Sequence, residues 1–89
     1  MDFSYFSDKI TINDQTKTLA EVDFPELEPG LVDINHTFVD DSLRGQGVAG
    51  KLMEAAADHL RSEGKKAVLS CSYAVKWFEK HPEYQDILK

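Results

Sequence analysis

The sequence contains a single cysteine, Cys71, and this scarcity excludes two kinds of small protein. One thiol cannot form an internal disulfide, and it cannot supply the several sulfur ligands of a multi-cysteine zinc site. No other spacing of metal-ligating residues occurs along the chain. A lone thiol is also typical of a reducing compartment. The sequence therefore predicts a fold that is held by its apolar core, with no metal.

Long apolar runs and basic residues are also scarce. No run approaches the roughly 20 apolar residues that a membrane-spanning helix needs, and residues 1–4 lack the basic and apolar regions of a signal peptide. The 10 Lys and Arg residues stand against 16 Asp and Glu, which gives a net charge of −6 with His neutral. This balance disfavours binding to nucleic-acid phosphates or to an anionic membrane. We therefore expect a cytoplasmic protein that contacts no membrane and no nucleic acid.

The residues that are present predict one globular domain over residues 1–89. Of the 89 residues 42% are hydrophobic, which suffices for a single small core but not for two. In the first half, residues 8–13, 18–24 and 31–39 have the alternation or the β-branched content of strands. Residues 25–30, with two prolines and a glycine, are typical of a loop. Short connections between these strands predict an antiparallel meander.

The second half changes to helical periodicity. After Gly47, apolar residues recur at steps of three and four, which predicts one buried helix face: Ala49, Leu52, Met53, Ala56 and Leu60. Gly64 is placed to end this helix. Residues 66–71 follow as a strand, whose pairing with an earlier strand is parallel because a helix lies between them. Residues 73–80 form a second helix that ends before Pro82. The fold class is therefore α/β, in the order β-β-β-α-β-α.

Residues 44–50 (RGQGVAG) lie between the third strand and the first helix. Glycines there leave backbone N–H groups uncovered, and the helix N-terminus adds unpaired amides and a positive dipole end. Such a loop binds phosphate oxygens, and Arg44 can add charged hydrogen bonds. The alternative is a compact turn without a ligand. The spacing fits neither a Walker loop nor a Rossmann fingerprint.

The loop also carries a resemblance to a known family. Arg44, Gly47 and Ala49 match the Arg/Gln-x-x-Gly-x-Gly/Ala pattern of the GNAT N-acetyltransferase superfamily. Residues 36–39 (HTFV), 71–73 (CSY) and 80–84 (KHPEY) resemble its very small YjdJ-type branch. The resemblance extends from about residue 8 to the C-terminus.

The resemblance implies a minimal GNAT-like fold that binds acetyl-coenzyme A. Loop amides would hold the pyrophosphate, from Arg44, Gly45, Gln46, Gly47, Val48 and Ala49. The strand that ends in Phe38 and Val39 would splay from residues 66–71, leaving a gap for the pantetheine arm. Strand groups left unpaired by such a splay can bond the amides of that arm.

The sequence departs from the usual superfamily pattern in two places. Ordinary members are longer and carry acceptor-binding helices between their first two strands, for which residues 13–16 leave no room. Their last helix commonly presents a tyrosine as general acid, and Phe78, which cannot donate a proton, occupies that position. Tyr73 and Tyr84 are alternative donors, although each can equally be a packing residue.

Two residues are candidates for catalysis. Cys71 precedes the second helix, where a thiolate is stabilised and can attack a thioester; the alternative is an inert, buried cysteine. His36 has an ordinary pKa near 6.5, which suits a general base for an ammonium acceptor or for Cys71. We expect His36 to share a pleat face with Ile34 and Phe38, where a purely structural role is the alternative.

These observations predict an acetyl-CoA-dependent N-acetyltransferase that acts on an unidentified amine, with Cys71 accepting or positioning the acetyl group. The acidic chain favours a cationic acceptor. A non-enzymatic acyl-CoA-binding or sensing module is the main alternative, favoured by the short chain and by Phe78. A nucleic-acid-binding module would need a basic face, but the only cations near the loop are Arg44 and Lys51.

Overall fold

The computed structural model describes residues 2–89, which form seven strands and two α-helices. The elements in chain order are β1 (Phe3–Tyr5), β2 (Lys9–Asn13), β3 (Thr18–Asp23), β4 (Glu26–Glu28), β5 (Leu31–Ile34), β6 (His36–Val39), α1 (Val48–Ser62), β7 (Lys66–Leu69) and α2 (Ser72–Glu79). Short 3-10 helices span Asp41–Leu43 and Pro82–Ile87. Within residues 2–89, no helix combines the length and the apolar character needed to cross a membrane.

The first sheet is antiparallel, with the strand order β1-β2-β3-β6. Ile10 pairs with Val22 and Ile12 with Ala20, and these four buried residues belong to the core beneath α1. The predicted strands 8–13 and 18–24 are confirmed as β2 and β3. The sequence does not predict β1, because three residues are too few to show a period.

The third predicted strand, residues 31–39, is wrong as a single element. It breaks at Asn35, whose N–H donates to the Asp23 carbonyl at 3.2 Å. Before the break, β5 pairs in parallel with β7, from Leu31 opposite Lys66 to Ile34 opposite Leu69. After the break, β6 pairs with β3 instead. The predicted parallel pairing is therefore confirmed, but the chain supplies strands to two sheets.

The predicted loop at residues 25–30 is also wrong in part, because it contains β4. Glu26 and Glu28 pair with Val32 and Leu31, so the second sheet has the order β4-β5-β7. Gly30 has φ 82°, the left-handed conformation that a tight Pro-Gly turn needs. The prolines flank this strand rather than interrupt it, and three exposed residues show no period from which to predict it.

The break at Asn35 changes which side chains share a face. Ile34 is fully buried, whereas His36 and Phe38 are exposed. The expected face shared by Ile34 and His36 is therefore wrong, since the strand turns between them. Thr37 lies on the α1 side of the sheet, opposite Val22 in the register.

The two helices supply the other half of the core. The predicted apolar face of α1 is confirmed at Leu52, Met53, Ala56 and Leu60, while Ala49 is only half-buried. α2 buries three side chains, Ala74, Trp77 and Phe78. α1 packs on one side of the first sheet, against β2, β3 and β6, whereas α2 packs against α1 and β7. His36 and Phe38 are exposed on the other side of this sheet, which we call its open side.

The C-terminal segment Pro82–Ile87 closes the core with Tyr84 and Ile87. The Tyr84 hydroxyl donates to Asp58 Oδ1 at 2.8 Å, and this hydrogen bond is the main reason that the pKa of Tyr84 rises to about 12. Arg61 also lies over the Tyr84 ring, 4.6 Å from its centroid. The segment is thereby tied to the exposed face of α1.

We expect Tyr84→Phe to lower the free energy of unfolding by about 1 kcal/mol, the usual net value of one hydrogen bond. Because the folded pKa lies above the usual value near 10, this stabilisation is complete below pH 10 and is lost as pH rises toward 12. Urea unfolding at pH 8 and pH 11 measures both effects. Equal stability of the variant at pH 8 would contradict the proposed bond.

Candidate cofactor site and the Cys71 thiol

A short turn leads from β6 into the glycine-rich loop. The Asp40 carboxylate accepts hydrogen bonds from the Ser42 hydroxyl at 2.7 Å and from its N–H at 3.0 Å. These two bonds hold the pKa of Asp40 below its usual value. Gly45 and Gly47 follow with φ of 82° and 71°, a left-handed conformation that other residues rarely adopt. Glycine at these positions therefore lets the chain reverse directly into α1.

The first turn of α1 presents unpaired backbone amides. Gly47 is the N-cap and has no side chain to accept a hydrogen bond, and the first turn contains no acidic residue. The helical bonds begin with Lys51 N–H donating to the Gly47 carbonyl at 3.2 Å. The amides of Val48, Ala49 and Gly50 precede that bond and have no helical acceptor. Together with the positive end of the helix dipole, they form a site for an anion.

A cavity of about 200 Å³ lies against these amides. It is lined by Val39, Leu43, Arg44, Gly45, Gly47, Val48, Ala49, Gly50 and Tyr73. Two residues that the resemblance implies for cofactor binding do not line it. The Gln46 amide donates to the Ser42 carbonyl at 3.4 Å, and Phe38 lies on the open side of the first sheet.

Leu43, Gly50 and Tyr73 line the cavity but were not among the residues implied by the sequence. Leu43 and Gly50 immediately flank the loop motif, and their closeness to it in the sequence could have predicted that they line the cavity. Tyr73 comes from α2, far from the loop in the sequence, and no local pattern predicts its approach.

The Arg44 guanidinium forms an ion pair with Asp41, with Nε 2.9 Å from Oδ1. Both side chains are largely exposed, so solvent screens the pair and the partner is readily exchanged. Arg44 can therefore turn to an anion in the cavity that it lines.

β6 and β7 are edge strands of separate sheets. The parallel pairing of β5 with β7 ends at Ile34 and Leu69. Beyond it, the N–H groups of Ser70 and Cys71 both donate to the Ile34 carbonyl at 3.1 Å. Among residues 2–89, no strand pairs with the edge of β6 that faces away from β3.

Cys71 lies just past the end of β7 and beside β6. It is the N-cap of α2 and half-buried, and its Sγ is 3.5 Å from the Thr37 hydroxyl of β6. Burial raises the pKa of the thiol, but the Thr37 hydroxyl and the backbone amides of Ala74 and Tyr73, which lie near the sulfur, outweigh it, so the net pKa is lowered. The amides favour the thiolate by proximity, since the Cys71 side chain forms no capping hydrogen bond.

We expect Cys71 to react with iodoacetamide at a lower pH than an ordinary cysteine, whose pKa is near 8.5. Reactivity should be present above the lowered folded pKa and lost as pH falls through it. Thr37→Val removes the side-chain donor and should move the midpoint upward. Rates of alkylation across pH measure this shift, with urea-unfolded protein as the reference. A midpoint that is identical in the folded and unfolded chains would contradict the contact.

His36 lies on the opposite face of β6 from Thr37. It pairs across the strands with Asp23, and Glu21 lies two residues along on the same face. A side-chain hydrogen bond with Asp23, followed by burial, raises the pKa of Glu21. His36 thus shares the open face with carboxylates, and it is separated from Cys71 because alternate side chains of a strand point to opposite faces.

Known proteins resemble this chain both in sequence and in fold. Residues 9–87 match the family model of the GCN5-related N-acetyl-transferases. The NMR structure of a GCN5-like protein from Staphylococcus aureus superposes with a TM-score of 0.80 at 35% identity, covering 99% of this chain and 87% of that one. The crystal structure of Tetrahymena GCN5 gives a TM-score of 0.65 at 17% identity over 81% of this chain and 48% of that chain, and this likeness shows the fold alone.

Among curated proteins, Protein NATD1 of Homo sapiens is 42% identical over 52 residues, and so is Protein NATD1 of Gallus gallus. The match covers 58% of this chain but only 46% and 47% of those proteins, so the chain spans about half the length of the curated relatives it matches. The family model nevertheless matches nearly the whole chain. The glycine loop, the parallel strand pair and these likenesses together confirm the resemblance found in the sequence: the chain belongs to the GCN5-related N-acetyltransferase family.

Proposed function

We propose that this protein binds acetyl-CoA and transfers its acetyl group to an amine. The observation that carries the proposal is the unpaired first turn of α1, which follows two left-handed glycines and faces a cavity. Those amides would hold the pyrophosphate, with Arg44 leaving Asp41 to join them. Family membership supports the same cofactor.

The pantetheine arm would run from this loop along the unpaired edge of β6. Its two amides are suited to the strand N–H and C=O groups that lack a partner there. Phe38 and Val39 would contribute backbone groups, and Val39 already lines the loop cavity. This path would bring the thioester toward Cys71, because the contact between Cys71 and Thr37 lies just past the end of the β5–β7 pairing.

In the proposed chemical step, the Cys71 thiolate attacks the thioester carbonyl carbon and the C–S bond to coenzyme A breaks. The departing coenzyme A thiolate takes a proton from water. The neutral amine then attacks the acetyl-cysteine, which breaks the C–S bond, releases the Cys71 thiolate and forms the amide as the nitrogen loses a proton to water. His36 lies on the opposite face of β6 from Cys71, so it would take the ammonium proton on the open face before the amine reaches the acetyl-cysteine; Glu21 and Asp23 on that face favour a cationic acceptor.

Two measurements test this proposal. Calorimetric titration with acetyl-CoA should show binding, and a panel of polyamines, lysine peptides and small primary amines should show release of free coenzyme A thiol. Binding without turnover over the panel would favour an acyl-CoA-binding or sensing module. Phe78 supports that second candidate, because it is buried and carries no acid at the position of the usual tyrosine. No binding of acetyl-CoA would overturn both.

A further inference from the structure

We propose that α2 supplies a second half of the phosphate site, in which Trp77 Nε1–H and the Tyr73 hydroxyl donate hydrogen bonds to the cofactor's phosphate oxygens. This inference rests on the proposed function. It adds two side-chain donors that the glycine-loop motif does not contain, and it gives α2 a direct part in holding the cofactor.

Gly50, in the first turn of α1, brings the two donors to the helix N-terminus. A Cβ on Gly50 would lie 3.6 Å from Tyr73 Oη and 3.7 Å from Trp77 Nε1. Both donors therefore lie over the same stretch of backbone that presents the unpaired amides. The φ of Gly50 is not positive, so the backbone conformation does not require glycine at this position. The missing side chain instead leaves space between α1 and α2.

The indole of Trp77 is fixed in place with its donor unused. Trp77 is only 7% exposed and stacks on His81, with ring centroids 3.9 Å apart and planes 14° apart. His81 is held in turn, with Nδ1 2.6 Å from the Trp77 carbonyl. Within residues 2–89, Nε1 has no hydrogen-bond acceptor and borders a cavity of about 370 Å³ beside Gly47 and Gly50. Although most of the ring is buried, Nε1 itself is open to the cavity. An indole N–H can only donate, so it is available to an acceptor that enters there.

Tyr73 presents its hydroxyl to the neighbouring cavity of the glycine loop. Its side chain is 38% exposed and its hydroxyl bonds no other residue in the described part of the chain. Burial, and then the charge of Cys71, raise the pKa of Tyr73, which keeps the hydroxyl protonated and able to donate.

Side-chain charge cannot account for anion binding beside Trp77. Lys51 and Glu54 both line this cavity and carry opposite charges, and His81 is the other titratable residue there. Attraction would instead come from neutral donors and from the helix dipole. Donors aimed at one point bind a phosphate group in this way without excess positive charge.

Trp77 is the only tryptophan in the chain, so one indole N–H signal in a proton–nitrogen NMR spectrum reports on the site. We expect this signal to move downfield on addition of coenzyme A or inorganic pyrophosphate, but not of pantetheine, which lacks phosphates. An unmoved signal in protein that binds coenzyme A would overturn the role of Trp77. Equal movement with pantetheine would overturn it also.

Variants that spare the Trp77 packing test the site by affinity. Tyr73→Phe removes only the hydroxyl, and Gly50→Ala places a methyl group between the donors at ordinary contact distances. Each should weaken coenzyme A binding about tenfold, as the loss of one hydrogen bond to a charged group would, with the melting temperature unchanged or higher. Tyr5→Phe, on β1, is the matched control and should bind as the wild type does.

Unchanged coenzyme A affinity in both Tyr73→Phe and Gly50→Ala would overturn the inference while leaving the proposed function intact. Failure of the wild-type protein to bind coenzyme A would overturn the proposed function, and this inference with it. Calorimetry of the wild type therefore separates the two cases before any variant is compared.

Discussion

Replacing Gly47 with glutamate should abolish detectable binding of acetyl-CoA, with an affinity loss of at least roughly 100-fold. Two effects add. Gly47 has φ 71°, where an L-residue costs about 1–2 kcal/mol. The new carboxylate would also lie at the N-cap of α1, where the cofactor's diphosphate is proposed to bind. Calorimetric titration of the variant with acetyl-CoA and coenzyme A measures the loss.

Gly64 offers a matched control at the other end of α1. Its φ of 70° is close to the 71° of Gly47, and a Cβ on either glycine would meet nothing within 4 Å. Gly64→Glu should therefore cost the same stability through backbone strain while leaving acetyl-CoA affinity unchanged. Equal affinity in the two glutamate variants would mean that the glycine loop is only a turn, and the proposed cofactor site would be wrong.

Replacing Cys71 with alanine should lower acetyl transfer at least about 100-fold, since a nucleophile cannot be replaced by its neighbours. Incubation of the wild-type protein with acetyl-CoA should add the mass of one acetyl group, and the variant should show no addition. Acetyl-CoA affinity should change little, because the loop amides remain. Intact mass spectrometry and thiol release under saturating acetyl-CoA measure these results.

Thr37→Val is the control for this second experiment. It keeps the sulfur but removes the hydroxyl that lies 3.5 Å from it, so a partial loss of transfer at neutral pH should recover at higher pH, where the thiolate forms without help. Cys71→Ser keeps nearly the size of the side chain but removes the thiol. Loss of acetyl transfer in this variant as well would show that the thiol, rather than packing at position 71, is needed. Full turnover in Cys71→Ala would show direct attack of the amine on acetyl-CoA, with Cys71 as a packing residue.

Much of the fold was predictable because its signals are local. The face of α1 follows from the spacing of Leu52, Met53, Ala56 and Leu60, and its start follows from Gly47. β1 and β4 were missed because three-residue strands have no readable period. The strand break at Asn35 was missed because residues 31–39 are continuous in β-forming character, and only pairing with two different neighbours separates them.

The candidate site was likewise predictable where its residues are neighbours in the sequence, and not where distant segments meet. The loop residues Arg44, Gly45, Gly47, Val48 and Ala49 were predicted and do line one cavity. His36 was expected beside Ile34, and it lies instead on the open face opposite Asp23. The catalytic roles of His36 and Cys71 remain predictions, and the variants of Cys71 described above test the second of them. The approach of Tyr73 and Trp77 to Gly50 had no signal in the sequence, because it depends on how α2 packs against α1.

The scarcity of cysteine and basic residues only excluded other kinds of protein. The helical periods and the glycine loop are properties of neighbouring residues and indicated the α/β class, while the loop pattern with the HTFV, CSY and KHPEY segments carried the resemblance to the family. The tertiary structure alone decided which strand edges stay unpaired, which face His36 occupies and which α2 side chains reach the loop. Those features arise from contacts between segments far apart in the chain, where the free energy of packing, rather than local propensity, selects the arrangement.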